Sequence, residues 1–252
     1  MPGVSAIIIT LNEAAHIGAC LDAVGFADER IVVDSGSTDG TPELARAHGA
    51  RVIVRDWPGY AAQKNAAAGL ASHDWILSVD ADERVTPALA TEIRDTLREP
   101  ARAGYRMPRV TFHLGRWIRT TDWYPDFQLR LYDRRRGRWS PRLVHESVTV
   151  DGAPGQLRGE LQHYAYRDIA HHLDTVNRYT TLAAQQMHGE GRRAGMGDLL
   201  LHPPAAFLRN YILRRGIADG VPGFIISAMN THYVFLKFAK LWAHESAAGG
   251  KP

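Results

Sequence analysis

Cysteine is almost absent from this sequence. Cys20 is the single cysteine among 252 residues, so an internal disulfide framework is excluded and a reducing compartment is expected. The apolar run Ile7–Ile9 follows no basic segment and precedes no cleavage site, so we interpret it as a strand and not as part of a signal peptide. Together these observations predict a cytoplasmic location.

Two common nucleotide-binding motifs and a clean membrane span are also missing. Neither the Gly-x-Gly-x-x-Gly dinucleotide motif nor a Walker A phosphate loop occurs in the chain. The most apolar segment, residues 224–242, contains Lys237 and Lys240, with His244 close behind. These charged side chains argue against a simple transmembrane helix.

The overall composition is that of a globular protein with an uneven distribution of charge. Hydrophobic residues make up 45% of the chain and charged residues 23%, which excludes a disordered protein and allows a sizeable core. The net charge is only +3, but residues 102–142 and 192–215 are rich in arginine. Such local basic surface predicts an anionic partner: phosphate, lipid head groups or nucleic acid.

The first hundred residues alternate between short apolar runs and amphipathic segments. Each apolar run is followed by a segment with helical spacing, which is typical of a mainly parallel sheet flanked by helices on both faces. This predicts the α/β class. The four predicted strands cover residues 4–10, 30–33, 51–54 and 75–79.

The fourth predicted strand ends in closely spaced carboxylates. Asp80 and Asp82 directly follow the apolar run 75–79, and residues two apart in an extended chain point the same way. Both can therefore meet one cation, and hard oxygen ligands suit Mg²⁺ or Mn²⁺. The alternative is a solvated turn before a helix, with Thr86 as N-cap and Pro87 in its first turn.

Three predicted strands end in polar loops, at residues 10–13, 34–41 and 80–83. Because parallel strands end at a common edge, these loops should line one crevice. Asn12 is expected to cap the following helix. Asp34 could accept a hydrogen bond from a base or a ribose, although its loop could also be shaped by turn propensities alone.

The second half of the chain lacks the regular alternation of strand and helix patterns seen in the first hundred residues. Residues 105–113 and 127–132 are predicted strands, the latter half-buried with Gln128, Arg130 and Tyr132 on its polar face. Residues 134–138 predict a basic hairpin turn that is either solvated or anion-binding. A short strand at 143–148 and helices at 168–188, 203–215 and 224–242 follow. The last is expected to lie on an anionic membrane surface, or else to dock on the core or a second subunit.

Several residue strings together resemble one family. The strings at residues 10–13, 34–41 and 80–83 resemble the donor-site signatures of family 2 glycosyltransferases with the GT-A fold. The later strings at 124–131, 144–147, 163–168 and 233–240 resemble the lipopolysaccharide core β-1,4-glucosyltransferases that act on inner-core heptose. The resemblance implies a mainly parallel Rossmann-like nucleotide-sugar half with a mixed acceptor-side half.

The resemblance also implies a set of donor-site and metal-site residues. Asp34 would hold the base, and Asp82 would bind a divalent metal, Mg²⁺ or Mn²⁺. Asp80 would contact the ribose or the metal, and His145 could be a third metal ligand or a donor to phosphate. Arg130 would clamp the diphosphate, since guanidinium groups suit phosphate. The donor-binding residues would be Thr10, Asn12, Glu13, Asp34, Ser35, Ser37, Lys64, Asp80 and Arg130.

The Glu-Asp pair usual in related enzymes is missing from this sequence, so more than one carboxylate is a candidate for the catalytic base. The candidates are Glu146, Asp126 and, more weakly, Glu83. Glu146 is preferred because a carboxylate in a short apolar strand needs a reason to be there. An ion pair of Glu146 with an arginine is the alternative, and His145 could instead be a packed core histidine.

The expected function is the inverting, metal-dependent transfer of one sugar, glucose from UDP-glucose, to a lipid-linked saccharide such as the lipopolysaccharide inner core. The alternatives are another nucleotide-sugar for capsule, glycolipid or protein acceptors, a nucleotidyltransferase, and a non-catalytic anion-binding module. No nucleic-acid partner is expected, and a homo-oligomer is possible. The enzyme would associate peripherally with the inner face of the cytoplasmic membrane.

The expected domain organisation follows the same resemblance. A catalytic domain would cover residues 1–195, with a nucleotide-sugar half at 1–100 and an acceptor half at 101–195. A helical appendage at 196–246 would serve membrane association or dimerisation, before a disordered tail at 247–252.

Overall fold

The N-terminal part of the chain forms four parallel strands in the order β3-β2-β1-β4. The computed structural model describes residues 2–140 and 147–249. The predicted alternation of strands and helices is confirmed. The elements are β1 (Val4–Thr10), α1 (Ile17–Ala23), β2 (Glu29–Asp34), α2 (Thr41–Ala47), β3 (Arg51–Val54), α3 (Tyr60–Gly69) and β4 (Trp75–Ser78).

The sheet continues beyond β4 with strands of mixed direction, in the order β4-β8-β6-β12-β5, and both β7 and β11 pair with β6. Strands β9 and β10 pair antiparallel in a separate two-stranded sheet. The elements are β5 (Glu83–Val85), α4 (Pro87–Thr96), β6 (Gly104–His113), β7 (Arg116–Ile118), β8 (Asp126–Asp133), β9 (Gly137–Ser140), β10 (Ser147–Val150), β11 (Gly155–Gln156) and β12 (Leu161–His163). Thr86 caps α4 as predicted, its hydroxyl accepting a hydrogen bond from the Leu89 amide.

The remaining chain is helical: α5 (Ile169–Gly189), α6 (Met196–Leu208) and α7 (Gly220–Gly249), with a π-helical turn at Arg209–Leu213 between α6 and α7. The start of α6 differs from the prediction, which placed it at Pro203. The helix begins seven residues earlier because the Asp198 carboxylate accepts a hydrogen bond from the Gly195 amide and so caps the first turn.

The sheet of the first unit has apolar side chains on both faces, as buried strands require. On β1, Ile8 packs on one face with Leu131, and Ile7 packs on the other face with Tyr132. The predicted polar face of β8 is therefore wrong. Arg130 and Tyr132 are buried because β8 lies inside the sheet between β4 and β6.

Helix α7 packs against α5 and α6 through Phe238 and Leu241. The lysine stripe predicted to face a membrane is turned inward at Lys240, whose ammonium donates to the Asn177 carbonyl and the Thr180 hydroxyl of α5. At Lys240 the helix is therefore docked on the chain's own core, which is the alternative that the sequence left open, and contact of the rest of the stripe with a membrane surface stays a prediction. No helix among the described residues is both long and apolar enough to span a bilayer.

The chain divides into two compact units. The first comprises Met1–Val110 and Asp126–His163, and the second comprises Thr111–Pro125 and Tyr164–Pro252. Helix α5 belongs to the second unit because it packs with the C-terminal helices through residues such as Ala184. The expected boundary between a catalytic domain and an appendage at residue 195 stays a prediction.

Candidate active site

The three polar loops meet at one edge of the parallel strands, as predicted. Thr10 and Asp34 are register partners at the ends of β1 and β2. The amide of Val79, just after β4, donates to the Ile7 carbonyl of β1, which brings Asp80 to the same edge. Residues from three separate stretches of sequence are thereby gathered in one place.

Asp34 shapes its own loop. Its Oδ1 accepts hydrogen bonds from the Gly36 and Ser37 amides at 3.0 and 2.8 Å. Its Oδ2 accepts from the hydroxyls of Thr10 at 2.8 Å and Ser37 at 2.5 Å, and the side chain is fully buried. A contact between Asp34 and a base therefore requires one of these bonds to be exchanged. Gly36, at a φ of 91° that favours glycine, leaves open space beside the backbone.

Asn12 locks the first loop to the second. Its side-chain oxygen accepts a hydrogen bond from the Thr38 backbone amide at 2.9 Å, and its backbone amide donates to the Ser37 hydroxyl at 2.7 Å. Its φ of 57° is left-handed, and α1 begins only at Ile17. The prediction of Asn12 as a helix cap is wrong because its side chain bonds to a loop from another strand. In the same region Ser35 accepts a hydrogen bond from Gln63 of α3 at 3.2 Å.

The pKa of Glu13 reflects the negative charge of the carboxylates at this edge of the sheet. Burial raises its pKa to about 7, and the nearby carboxylates of Asp82, Asp39 and Asp80 add to the rise. A bound cation would reduce the electrostatic repulsion among these carboxylates.

Asp80 lies between two buried cations. Lys64 Nζ is 2.9 Å from its Oδ1, and Arg130 Nη2 is 2.5 Å from its Oδ2. Burial alone would raise the pKa of Asp80, but the charges of Arg130 and Lys64 outweigh it and hold the pKa far below its usual range. Asp80 is therefore a carboxylate throughout the physiological range.

The ion pairs continue away from Asp80. Fully buried Glu83 is 2.7 Å from Arg130 and 3.1 Å from Arg109, and its Oε2 accepts from the Asp80 amide at 3.0 Å. Arg109 in turn donates to Asp126 at 2.6 and 2.9 Å, and Gln128 donates to the same carboxylate at 2.7 Å. Two of the three candidate catalytic bases, Glu83 and Asp126, are thus paired with guanidinium groups.

Trp139 lies over the two cations beside Asp80. The Lys64 ammonium is 4.2 Å from the centroid of its ring, and the Arg130 guanidinium carbon is 5.7 Å away. The aromatic face shields both cations from solvent and strengthens their electrostatic interactions.

Asp82 faces a histidine that the sequence reading did not assign. Its Oδ2 is 3.3 Å from His163 Nε2, and both side chains are partly accessible. Pairing of β12 with β5 sets His163 opposite Glu83, next to the turn that carries Asp82. Burial raises the pKa of Asp82, but the hydrogen bond and charge of His163 outweigh it, so the net shift is downward. The signal available in the sequence was His163 at the head of the string 163–168.

The residues present fit a divalent metal that uses few protein ligands. A carboxylate oxygen and an imidazole nitrogen lie side by side, while Asp80 is engaged by Lys64 and Arg130. Across residues 2–140 and 147–249, no three metal-binding side chains form a ready-made cage. Mg²⁺ and similar cations often complete such sites with waters and substrate phosphates. His145 and Glu146 lie outside the described residues and stay predictions.

Comparison with known proteins decides the family. The model described as "Glycosyl transferase family 2" matches residues 5–149, more than half of the chain and all of the described site except His163. The chain is a family 2 glycosyltransferase.

Relatives of this glycosyltransferase extend over nearly its whole length. It is 34% identical to the lipopolysaccharide core biosynthesis glycosyltransferase LpsC of Rhizobium meliloti over 94% of this chain and 91% of LpsC. It is 31% identical to an uncharacterized glycosyltransferase of Rickettsia felis over 96% of this chain and 90% of that protein. The predicted family is confirmed, and the chain is a homologue of a lipopolysaccharide core glycosyltransferase.

A solved structure supports the fold of the glycosyltransferase. The crystal structure of mannosyl-3-phosphoglycerate synthase from Rubrobacter xylanophilus matches 77% of each chain, with a TM-score of 0.51 at 19% identity. The predicted α/β GT-A fold is confirmed by this match and by the strand order of the first unit.

Proposed function

We propose that this protein is an inverting, metal-dependent glycosyltransferase that moves a single glucose from UDP-glucose to a lipid-linked saccharide such as the lipopolysaccharide inner core. One observation carries the proposal. The buried cations Lys64 and Arg130 flank Asp80, and the Asp82–His163 pair begins two residues further along the chain. Positive groups for a diphosphate and ligands for a metal thus occur together.

The two cations suit the diphosphate of a nucleotide-sugar. A guanidinium offers paired donors to phosphate oxygens, and an ammonium adds a point charge. Lys64 and Arg130 are held in place by Asp80 and Glu83 before any donor arrives. Such preorganised charge stabilises the negative charge that develops on the departing diphosphate.

Asp82 and His163 are the residues that would hold the metal. A divalent cation there, Mg²⁺ or Mn²⁺, would supply further charge stabilisation for the leaving diphosphate. Thr10, Asn12, Ser35 and Ser37 would border the nucleoside, since the hydrogen bonds around Asp34 gather them at the sheet edge.

Inverting transfer needs a carboxylate base for the acceptor hydroxyl. Asp126 accepts three hydrogen bonds from Arg109 and Gln128, so both of its carboxylate oxygens are already engaged by side chains of the protein and are less available to an acceptor hydroxyl. We therefore keep Glu146 as the first candidate. It follows strand β9, whose Trp139 covers Lys64 and Arg130.

The acceptor class rests on the relationship to LpsC. A saccharide of the lipopolysaccharide core is lipid-linked, so the enzyme would work at the inner face of the cytoplasmic membrane. His145, if it joins Asp82, would add a third metal ligand from the segment that contains Glu146.

The donor is tested by incubating the protein with a panel of nucleotide-sugars, with and without Mn²⁺ or Mg²⁺, and measuring nucleotide release. We expect metal-dependent UDP release from UDP-glucose and a loss of at least about 100-fold in Asp82→Asn. Asp22→Asn is the control, because Asp22 pairs with His48 at the surface.

If the acceptor must bind before the donor is cleaved, no nucleotide is released in this assay. Binding of UDP in the presence of metal is therefore also measured by calorimetry. If neither release nor metal-dependent UDP binding is found, the glycosyltransferase mechanism is wrong for this donor class. Release from a different nucleotide-sugar would instead replace glucose as the transferred sugar.

A further inference from the structure

Large apolar side chains remain exposed on one part of the second unit. They belong to α6, to the π-helical turn that follows it, to the short 3-10 helix Gly216–Asp219 and to the first turn of α7. We call this set the apolar surface. Its members, each more than half exposed, are Leu200, Leu201, Leu208, Leu213, Ile217 and Val221.

The apolar surface is not the side of α6 that packs on the protein. Pro203 and Ala206 are buried, whereas Leu201 and Leu208, at helical spacing on another side, are 70% and 58% exposed. Helix α6 is thus apolar both toward α7 and toward solvent. Leaving so much apolar surface in water is unfavourable, and exposed apolar patches commonly mark interaction sites.

Three exposed arginines lie in the same stretch of chain as the apolar surface. Arg209 and Arg214 expose more than half of their side chains and pair with Asp122, and Arg215 is also exposed. Two guanidinium groups that share one carboxylate keep a net positive charge. The nearby acidic residue Asp219 is buried and paired with Arg116, so it does not neutralise this surface.

We propose that the apolar surface inserts into the interfacial region of a bilayer that contains anionic lipids. Leucine side chains would enter the acyl boundary, and the neighbouring arginines would remain among the phosphate head groups. A second copy of the chain fits less well. In a twofold dimer the same surface meets itself, so the arginines would approach one another.

This inference rests on the proposed function for the lipid-linked acceptor. The apolar surface lies in the second unit, whereas the candidate active site lies in the first. The inference also relocates the membrane contact. The lysine-bearing face of α7 bonds to α5 at Lys240, whereas α6 and the turn after it present side chains with no cover in the described structure.

The test measures sedimentation of the full chain with vesicles of pure phosphatidylcholine and of phosphatidylcholine with one third phosphatidylglycerol. We expect binding to the anionic vesicles that weakens with salt. The double variant Leu201→Gln/Leu213→Gln should bind roughly tenfold or more weakly, because both side chains are highly exposed and contribute mainly to the interface. Leu44→Gln, at an exposed position in the first unit, should bind like the wild type.

Nucleotide release measured in parallel separates this inference from the proposed function. Asp82→Asn should lose release and keep vesicle binding, and the double variant should keep release without vesicles. Equal binding of the double variant and the wild type would overturn the inference. So would light scattering that shows a dimer dissociated by the double substitution, with no vesicle binding by either protein.

Discussion

The side-chain amide of Asn65 pairs with both backbone groups of Trp139. Its Nδ2 donates to the Trp139 carbonyl and its Oδ1 accepts from the Trp139 amide, each at 2.9 Å, across 74 residues of sequence. The helix that supplies Lys64 to the site therefore also holds the strand whose indole covers Lys64 and Arg130.

Replacing Asn65 with alanine should lower the free energy of unfolding by about 1–3 kcal/mol, because two backbone groups lose their partners. Urea denaturation measures the change. Ala62→Ser, at an exposed position of the same helix, should have little effect. Equal stability of Asn65→Ala and wild type would mean that Trp139 finds other partners.

Removing the charge of Glu83 should be costly, since Glu83 is fully buried between Arg109 and Arg130. We expect Glu83→Leu to lose about 3 kcal/mol or more of stability in denaturant titrations. Glu83→Gln should lose less, because an amide oxygen can still accept from the Asp80 amide. The control is Glu43→Gln, which breaks a solvent-exposed pair with Arg46 and should change stability little.

His163→Asn should weaken metal binding without abolishing the fold. The imidazole is 3.3 Å from Asp82, so its loss removes one of two expected ligands. We expect the Mn²⁺ concentration for half-maximal UDP binding, measured by calorimetry, to rise roughly tenfold or more. His48→Asn, which disrupts a surface pair with Asp22, should leave it unchanged. An unaltered Mn²⁺ dependence in His163→Asn would remove His163 from the metal site.

The pH dependence of stability should depend on His172. Burial lowers its pKa to about 4, and the charges of His113 and His171 add to the shift. Its ring stacks on Tyr166 at 4.2 Å and contacts Trp123. Because the folded pKa lies below the unfolded value of about 6.5, the unfolded chain takes up the proton first, and stability falls as pH drops from about 6.5 to 4.

His172 alone should account for roughly 3 kcal/mol of that loss. In His172→Phe this part of the pH dependence should disappear, as measured by urea denaturation at pH 7 and pH 4. The same substitution at His232, which is exposed, should keep the wild-type slope. A wild-type slope in His172→Phe would show that the imidazole of His172 has the same pKa in the folded and the unfolded protein.

Local patterns in the sequence were enough to predict the four parallel strands of the sheet and the polar loops that follow three of them. Strands β1 to β4 lie where apolar runs predict them, and Thr86 caps α4 as its side-chain chemistry requires. The polar strand ends at Thr10, Asp34 and Asp80 meet because parallel strands share an edge. These features depend on neighbouring residues and on one rule of chain geometry.

Contacts between distant segments were decided by the tertiary structure alone. Asn12 bonds to a loop from the next strand and not to its own helix. His163 reaches Asp82 only because β12 pairs with β5, and Arg130 is buried only because β8 lies between two other strands. The amino-acid order alone was enough for the family and for the elements of the parallel half, whereas the short strands β5, β7, β11 and β12 were not predicted. Which side chains meet was determined by strand pairing and by the burial of charges, neither of which is encoded in local spacing.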